Sequence, residues 1–103
     1  MNRGDIYDAE LPVGGRRPTA IVSRETLIPL LTSVTVAAIT STVRGLPTEV
    51  PVGPAHGLDR DCAVNCNDLA TLPKARLGRY RGSLGPAELA QLDHALRIAL
   101  ALD

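Results

Sequence analysis

Aromatic side chains are almost absent from this sequence of 103 residues, in which they make up 2% of the chain. Tyr7 and Tyr80 are the two aromatic residues, and there is no Phe or Trp. A core of ring side chains is therefore excluded, and we expect one built from Val, Ile, Leu and Ala. Because a chain of this length buries only about two-thirds of its unfolded surface, we also expect a homodimer that covers a further apolar face.

Cysteine and histidine are also scarce, with two residues of each. Cys62 and Cys66 are four residues apart, which on a strand places them on one face but about 13 Å from each other, too far for a disulfide. Two cysteines without a nearby histidine also fall short of a zinc site. The sequence shows neither a nucleotide-binding glycine loop nor a Ser/His/Asp pattern, so we expect no metal and no cofactor.

Long apolar runs are missing as well. The apolar stretch at residues 34–39 is far too short to span a membrane. Residues 1–10 carry charged side chains where a signal peptide would have an apolar segment. We therefore expect a soluble, cytoplasmic protein with no membrane partner.

The formal net charge is zero, which argues against a general nucleic-acid coat protein, but the charge is unevenly distributed. Residues 16–81 carry nine cations against five acids, whereas residues 1–15 and 82–103 each carry one cation against three acids. Ten of the eleven cations are arginine, which binds phosphate through a planar fork. This preference indicates phosphate binding, although a composition bias of the source genome explains it equally well.

Apolar and β-branched residues separated by Pro- and Gly-rich turns dominate the first 84 residues. Strands are predicted at 5–10, 18–23, 32–42, 48–53 and 79–84. The fourth contains Pro51 and is therefore expected at a sheet edge. Residues 62–72 are expected to form one kinked strand or two short ones. Loops or turns are predicted at 12–17 and 73–78, and residues 24–31 fit either a turn or a short helix.

The pattern changes after residue 84, where leucines recur at spacings of three and four from Leu89 to Leu100. This spacing predicts an amphipathic helix, with Pro86 in its first turn and Glu88 near its positive N-terminus. Five to seven strands followed by one helix indicate a single α+β domain over residues 1–103, with a small barrel-like sheet.

Two segments combine residue types that suit an anionic ligand. In the first, Gly14 and Gly15 precede Arg16 and Arg17, so that a flexible backbone delivers two guanidiniums suited to a phosphodiester. In the second, three hydroxyl residues, starting at Thr40, end a strand and are followed closely by an arginine. A solvated loop and the ordinary β-propensity of threonine are the simpler explanations of these two patterns.

A third segment, residues 65–82, joins Asn67 and Asp68 to a run of basic residues. The basic residues of this run are Lys74, Arg76, Arg79 and Arg81. A solvated basic turn explains the run without any function. His56 lies in a loop that contains Pro and Gly, and the sequence leaves open whether its side chain is mobile.

Four stretches in this order resemble the MazF/PemK (Kid) family of toxin endoribonucleases of bacterial toxin–antitoxin modules. They are "RGDIYDAEL", "GRRPTAIVS", "ITSTVRGLPTEV" and "LATLPKARLGRYRGSLGPAELAQLDHALRIAL". The resemblance implies an SH3-like twisted barrel, a homodimer, and cleavage of RNA without a metal. It also implies inhibition by a cognate antitoxin whose partly disordered segment folds into the RNA groove.

The family's catalytic arginine, which directly precedes a proline, falls on Arg17, and its catalytic Thr or Ser falls on Thr40. Where some members have Arg-Cys-Asp-Gln, this chain has Asn65, Cys66, Asn67 and Asp68, and Ala70 replaces a frequent arginine. These departures leave open a different RNA preference or a catalytically weakened relative that retains antitoxin binding. A toxin that binds DNA gyrase without cutting RNA is a further alternative, although it would not need Arg17 and Thr40 together.

For metal-free cleavage by the 2′-OH of the substrate, we expect Arg17 to stabilise the phosphorane charge and Thr40 to orient a phosphate oxygen. Asp68 is the expected proton acceptor, with His56 as the next candidate. Single-stranded RNA is the expected substrate, with mRNA, tRNA and rRNA all open. The expected RNA-binding residues are Gly15, Arg16, Arg44, Asn67, Lys74, Arg76 and Arg79.

Overall fold

Six strands and one long helix make up the fold in this computed structural model, which describes residues 1–102. The strands are β1 (Asp5–Leu11), β2 (Gly15–Ile21), β3 (Ser33–Thr40), β4 (Glu49–Val52), β5 (Cys62–Pro73) and β6 (Leu77–Ser83), and the helix is α1 (Pro86–Leu100). Single 3₁₀ turns occupy Ile28–Leu30, Pro54–His56 and Lys74–Arg76. No helix within residues 1–102 is both long and apolar enough to cross a bilayer.

The strands form one sheet in the order β4-β5-β3-β2-β1-β6, and every neighbouring pair is antiparallel. The sheet curls into a half-barrel, with α1 following its last strand. The predicted α+β class with a small, twisted, barrel-like sheet is thus confirmed. Strand β4 contains Pro51 and lies at an edge of the sheet. At an edge, the backbone N–H that proline lacks costs no ladder hydrogen bond.

Two glycines bring the edge strand β6 against the turn that follows β4. Gly57 has a φ of +87°, in the left-handed region, and a Cβ there would collide with the carbonyl group of Arg81. A Cβ on Gly82 would likewise meet the carbonyl group of His56. Because glycine alone permits this backbone approach, the half-barrel curls far enough to bring Arg81 beside the β4–β5 connection.

The sheet carries an apolar cluster on each face, because side chains along a strand alternate between faces. On β3, Ala37 belongs to the cluster that α1 covers with Leu92, whereas Val36 belongs to the opposite cluster. Ile28, in the first 3₁₀ turn, packs into that second cluster. Both clusters consist mainly of aliphatic side chains, as the near absence of aromatic residues predicted.

Strand β2 begins three residues earlier than predicted, at Gly15. Arg16 and Arg17 continue the ladder to β1, where they pair with Glu10 and Ala9. The predicted loop at residues 12–17 is therefore wrong in its second half. Local Pro and Gly content indicated a loop, but pairing with a neighbouring strand determines the backbone here. Both arginines consequently project from a paired strand.

Strand β5 is one strand with a kink, which was one of the two predicted alternatives. Ala38 pairs with Asn65 and Ala37 pairs with Leu69, so the three residues 66–68 form a bulge opposite two adjacent residues of β3. A bulge bends its strand and sharpens the local twist. It therefore contributes to the curl of the sheet and leaves its own residues outside the ladder.

Helix α1 follows the prediction. Pro86 occupies its first turn, and the carboxylate of Glu88 accepts a hydrogen bond from the backbone N–H of Gly85 at 2.9 Å. This contact satisfies a helix-terminal donor and places a negative charge at the positive end of the helix dipole. Leu92 and Ala95 are the buried residues of the helix and pack against the sheet.

Candidate active site

A cavity of about 440 Å³ opens between β2, β3, β6 and the loop that leads into β5. Its charged wall consists of Arg16, Arg17, Asp59, Arg60 and Arg81. Four guanidiniums against one carboxylate make this wall strongly cationic. A concave surface of one charge sign raises the local concentration of ions of the opposite sign, so the cavity is suited to an anionic ligand.

Arg17 and Thr40 come from neighbouring strands of the sheet. The ladder between β2 and β3 ends at the pair of Thr19 and Ala38, and Arg17 and Thr40 each lie two residues beyond that pair on their own strands. Both residues line the cavity. The two residues to which the family resemblance assigns catalytic roles are therefore neighbours, although they are far apart in the chain.

The turn before β2 holds the guanidinium of Arg17 in place. Its Nη2 donates to the carbonyl oxygen of Gly14 at 3.2 Å. Gly14 has a φ of +94°, and a Cβ on it would lie 3.0 Å from the same Nη2. The Nε of Arg17 is shielded from solvent and has no hydrogen-bond partner among residues 1–102. An unpaired buried donor of this kind costs free energy in the folded protein.

Thr40 ends β3 with its hydroxyl held by the backbone that follows. Oγ1 of Thr40 accepts a hydrogen bond from the N–H of Thr42 at 3.0 Å. A hydroxyl that accepts one bond still has its own proton to donate. Thr40 is therefore positioned by the chain and remains able to donate to an oxygen in the cavity.

Arg81 reaches the cavity from β6, between two carboxylates. Its Nη1 donates to both side-chain oxygens of Asp8, at 3.1 and 3.4 Å, and its Nη2 lies 3.3 Å from Oδ1 of Asp59. The side chain of Asp8 is 18% exposed, whereas that of Asp59 is 88% exposed. Arg81 thus has a sheltered partner on β1 and a solvent-exposed partner at the cavity.

Arg81 belongs to the basic run of residues 65–82 but was not predicted as a binding residue. The pairing of Ile6 with Gly82 and of Tyr7 with Tyr80 leaves Arg81 as an extra residue at an irregularity. Strand alternation could not indicate its direction, because an irregularity breaks the two-residue period. The irregularity therefore explains why Arg81 was not predicted as a residue of the cavity.

Arg16 and Arg60 complete the cationic wall. Arg16, an expected RNA contact, lies with its guanidinium over Gly78 of β6, where a side chain would collide with it. Arg60 was not predicted, because it stands between Asp59 and Asp61 in a loop with more acids than cations. Its presence in the wall depends on how the β4–β5 connection folds over the cavity.

Three other candidates, Arg44, Asn67 and Asp68, do not line this cavity. Asn67 and Asp68 are exposed on the β5 bulge, and Nδ2 of Asn67 donates to Oγ1 of Thr48 at 2.6 Å. The backbone N–H of Arg44 donates to Oε1 of Glu49 at 3.1 Å. Asn67 thus contacts the end of the loop 41–48, whose first residues line the cavity, and Asp68 is exposed to solvent.

The remaining predicted binding residues also lie outside the cavity. Lys74 and Arg76 belong to the turn between β5 and β6, where the ammonium of Lys74 donates to the carbonyl oxygen of Ile28. Arg79 is exposed on β6. Gly15 starts β2 with a φ of +73° and has open space where a side chain would be. Glycine is therefore favoured here by the left-handed backbone of the turn and not by a close contact.

His56 is not a mobile side chain. Its Nδ1 accepts a hydrogen bond from the backbone N–H of Gly53 at 3.1 Å, and its Nε2 lies 3.3 Å from Oε1 of Glu88. The first contact assigns the ring proton to Nε2, which points at the carboxylate. Both nitrogens are engaged in joining the second 3₁₀ turn to the start of α1, and the residue does not line the cavity.

The two cysteines are free thiols in different settings. Cys66 is 1% exposed, and burial raises the pKa of its thiol to about 11. Cys62 lines the cavity, and burial, opposed by the nearby Arg60, raises the pKa of its thiol. Within residues 1–102, no three side chains of His, Cys, Asp and Glu come together as a metal-binding group.

Comparison with known proteins shows the same fold in toxins. Endoribonuclease MazF3 of Mycobacterium tuberculosis is 46% identical over 87 residues, which cover 84% of each chain. The structure of Mycobacterium tuberculosis toxin MazF-mt6 matches with a TM-score of 0.88 and 43% identity, over 96% of this chain and 98% of that one. An endoribonuclease in complex with its cognate antitoxin, from Mycobacterial species, matches with a TM-score of 0.87 and 33% identity, over 100% and 97%.

The family match covers almost the whole chain. Residues 2–100 match the family described as PemK-like, MazF-like toxin of type II toxin–antitoxin system. The matched range includes all six strands, the helix and every residue of the cavity wall. The chain therefore belongs to the PemK-like, MazF-like toxin family.

Proposed function

We propose that this chain is a toxin endoribonuclease that cleaves single-stranded RNA at preferred sequences. The 2′-OH of the substrate attacks the adjacent phosphate, without a metal, and leaves a 2′,3′-cyclic phosphate and a 5′-OH. The observation that carries the proposal is the meeting of Arg17 and Thr40 in one cationic cavity. The names of its relatives support the activity. Cleavage of cellular RNA would inhibit translation and growth.

Arg17 serves as the charge-stabilising group at the phosphate. A guanidinium stays protonated at any working pH, which makes it a poor base but a permanent positive charge. The guanidinium of Arg17, which lines the cavity, supplies hydrogen-bond donors to a phosphorane oxygen. Its Nη2 is held at Gly14, so the group needs little reorganisation when charge develops.

Thr40 serves as a neutral hydrogen-bond donor to a second phosphate oxygen. Its hydroxyl is oriented by the N–H of Thr42. Loss of one preorganised donor of this kind costs on the order of 100-fold or more in rate.

The proton acceptor for the 2′-OH is Asp68 in this proposal. Its carboxylate lies on the β5 bulge outside the cavity, so it acts only if the RNA chain extends across β5. His56 is a weaker candidate, because Gly53 and Glu88 occupy its two ring nitrogens. An Asp68→Asn variant that cleaves at the parent rate would eliminate Asp68 from this role.

Backbone phosphates of the RNA would be held by cations that extend outward from the cavity. Arg16 lines the cavity, whereas the other expected contacts, Arg44, Lys74, Arg76 and Arg79, lie outside it. Such contacts are blind to sequence and weaken as salt rises. Asn67, exposed beside the loop 41–48, offers an amide oxygen for reading a base edge.

A cognate antitoxin and a second copy of the chain are the proposed protein partners. The complex formed by one relative supports the antitoxin, whose acidic residues would complement the cationic wall. Exposed apolar side chains on the turns support a homodimer. These exposed residues include Val13, Leu27, Leu30, Leu31, Val43 and Leu46. Light scattering on the purified chain would measure the dimer directly.

The test is incubation of the purified protein with mixed single-stranded RNA in EDTA, beside Arg17→Ala, Thr40→Ala and Arg24→Ala. Arg24 is exposed and lies outside the cavity, so its variant controls for the loss of one charge. We expect cyclic-phosphate ends from the parent and from Arg24→Ala, and a large loss in the two cavity variants. Absence of cleavage by folded parent protein would favour a gyrase-binding toxin or a relative that retains antitoxin binding alone.

A further inference from the structure

Arg81 is a second guanidinium at the same cavity as Arg17, and its surroundings differ from those of the other arginines there. Its side chain is 12% exposed, so it is mostly sheltered. The two oxygens of Asp8 hold it from the side of the sheet, at 3.1 and 3.4 Å from Nη1. A charged and sheltered partner restricts the orientation of a guanidinium, as a preorganised binding site requires.

The other side of Arg81 faces Asp59. The two carboxylate partners differ greatly in exposure, 18% for Asp8 and 88% for Asp59. Asp59 lies in a loop, and its 3.3 Å contact with Nη2 is an exposed ion pair of the kind that contributes little to stability. The pair therefore opens at small cost, whereas the Asp8 contact stays.

We infer that Arg81 binds a backbone phosphate of the substrate and that Asp59 occupies this phosphate position in the free protein. The inference rests on the proposed function, since it names a phosphodiester of single-stranded RNA as the ligand. Carboxylate and phosphate oxygens use the same guanidinium fork, so one replaces the other without rearrangement of Arg81. Asp8 is the positioning residue of this site, and Asp59 is an internal competitor that RNA displaces.

Position within the cavity supports this assignment. Arg81 and Asp59 line the same cavity as Arg17 and Thr40, and Asp59 is the single acid among its lining residues. Within that wall, Asp59 contacts the guanidinium of Arg81.

The test measures binding separately from cleavage, using a single-stranded RNA that carries 2′-O-methyl groups throughout and cannot be cut through its 2′-OH. Four proteins are compared with the parent: Asp59→Asn, Asp61→Asn, Arg81→Met and the Asp59→Asn/Arg81→Met double variant. Asp61 is the matched control, because it is an exposed acid two residues away, outside the cavity. Thermal melts verify that each variant is folded.

We expect Asp59→Asn to bind this RNA about 2- to 5-fold more tightly. The plot of log affinity against log salt should steepen by about 0.7, because one more cation becomes available to single-stranded RNA. Asp61→Asn should change affinity less, and Arg81→Met should weaken binding about 10-fold. In the Arg81→Met background, Asp59→Asn should give no further gain.

Four outcomes would overturn the inference. A gain from Asp59→Asn that persists without Arg81, or that Asp61→Asn matches, would show a general charge effect. A fall in kcat above about 10-fold for Asp59→Asn on cleavable RNA would make Asp59 a catalytic base. A parent that binds and cuts RNA while Asp59→Asn changes nothing removes this inference and leaves the proposed function intact. A parent that does not bind RNA at all removes both.

Discussion

The backbone of Gly57 lies directly against the carbonyl group of Arg81, although the two residues belong to different parts of the half-barrel. Gly57 ends the second 3₁₀ turn with a φ of +87°, and Arg81 lies in the edge strand β6. This contact sets the distance between the β4–β5 connection and β6. It thereby brings Asp59, which follows the turn, to the guanidinium of Arg81.

Gly57→Ala should therefore destabilise the fold and disturb the cavity together. We expect a loss of about 3 kcal/mol in the free energy of unfolding, from the backbone collision and the positive φ. Gly45→Ala is the matched control, with a φ of +71° and open space around it, and should cost about 1 kcal/mol. Urea unfolding measures both values. Equal losses in the two variants would show that the close approach to Arg81 adds nothing to the loss in the free energy of unfolding.

Thr40→Val removes the hydroxyl at constant shape and should lower kcat about 100-fold, with KM nearly unchanged. Thr40→Ser retains a hydroxyl in the same place and should stay within about 10-fold of the parent. The reason is that the proton of Thr40 is available to the substrate while its oxygen is held by Thr42. Single-turnover cleavage separates the two parameters. A Val variant as active as the Ser variant would contradict a donor role.

Alkylation of the thiols tests where RNA binds. At about pH 8, the folded protein should react slowly at Cys62, because its pKa is raised, and not at Cys66, which is buried with a pKa of about 11. Uncleavable 2′-O-methyl RNA should slow labelling of Cys62 in proportion to occupancy, since this residue lines the cavity. Peptide mass spectrometry identifies the labelled thiol. Labelling that bound RNA leaves unchanged would place the RNA elsewhere.

Glu88 should make stability depend on pH in acid. Its pKa is lowered from 4.5, first by the N–H of Gly85 and also by His56, so its carboxylate stabilises the folded state while it is ionised. This contribution is complete above pH 4.5 and is lost as the pH falls through the lowered pKa. Glu88→Gln should therefore lower Tm at about pH 7 and match the parent at about pH 3.

Glu10→Gln is the control for this comparison, because Glu10 is exposed on β1. The difference in Tm between Glu10→Gln and the parent should be nearly the same at about pH 7 and at about pH 3. A Glu88→Gln variant whose Tm deficit persists in acid would show that the amide disturbs packing and that charge is not the cause.

Local patterns predicted the parts of the fold that local forces determine. The leucine spacing and Pro86 located α1, and Pro51 indicated an edge strand. The start of β2 was missed, because Arg16 and Arg17 become strand residues through pairing with β1. Pairing between distant segments depends on the whole sheet and leaves little trace in a short window.

The same contrast between local patterns and long-range pairing applies to the residues of the cavity. Arg17 and Thr40 could be named from a motif and a strand end, and the fold brings both to one cavity. Arg81 and Asp59 could not be assigned to the cavity from the sequence. Arg81 lies at an irregularity of β6, and Asp59 lies in a loop whose position depends on glycine contacts between distant segments. Basic residues near Arg81 in the sequence, such as Lys74, lie outside the cavity, since closeness along the chain does not determine closeness across a curled sheet.

The central claim is that the cavity of Arg17 and Thr40 cuts RNA through the 2′-OH beside the broken bond. The most direct measurement uses two oligonucleotides that are identical except for one 2′-deoxy residue at the mapped cleavage site. We predict equal binding of the two, cleavage of the all-ribose strand to a 2′,3′-cyclic phosphate, and no cleavage of the other at that position. Cleavage of both strands at the same rate would contradict the account.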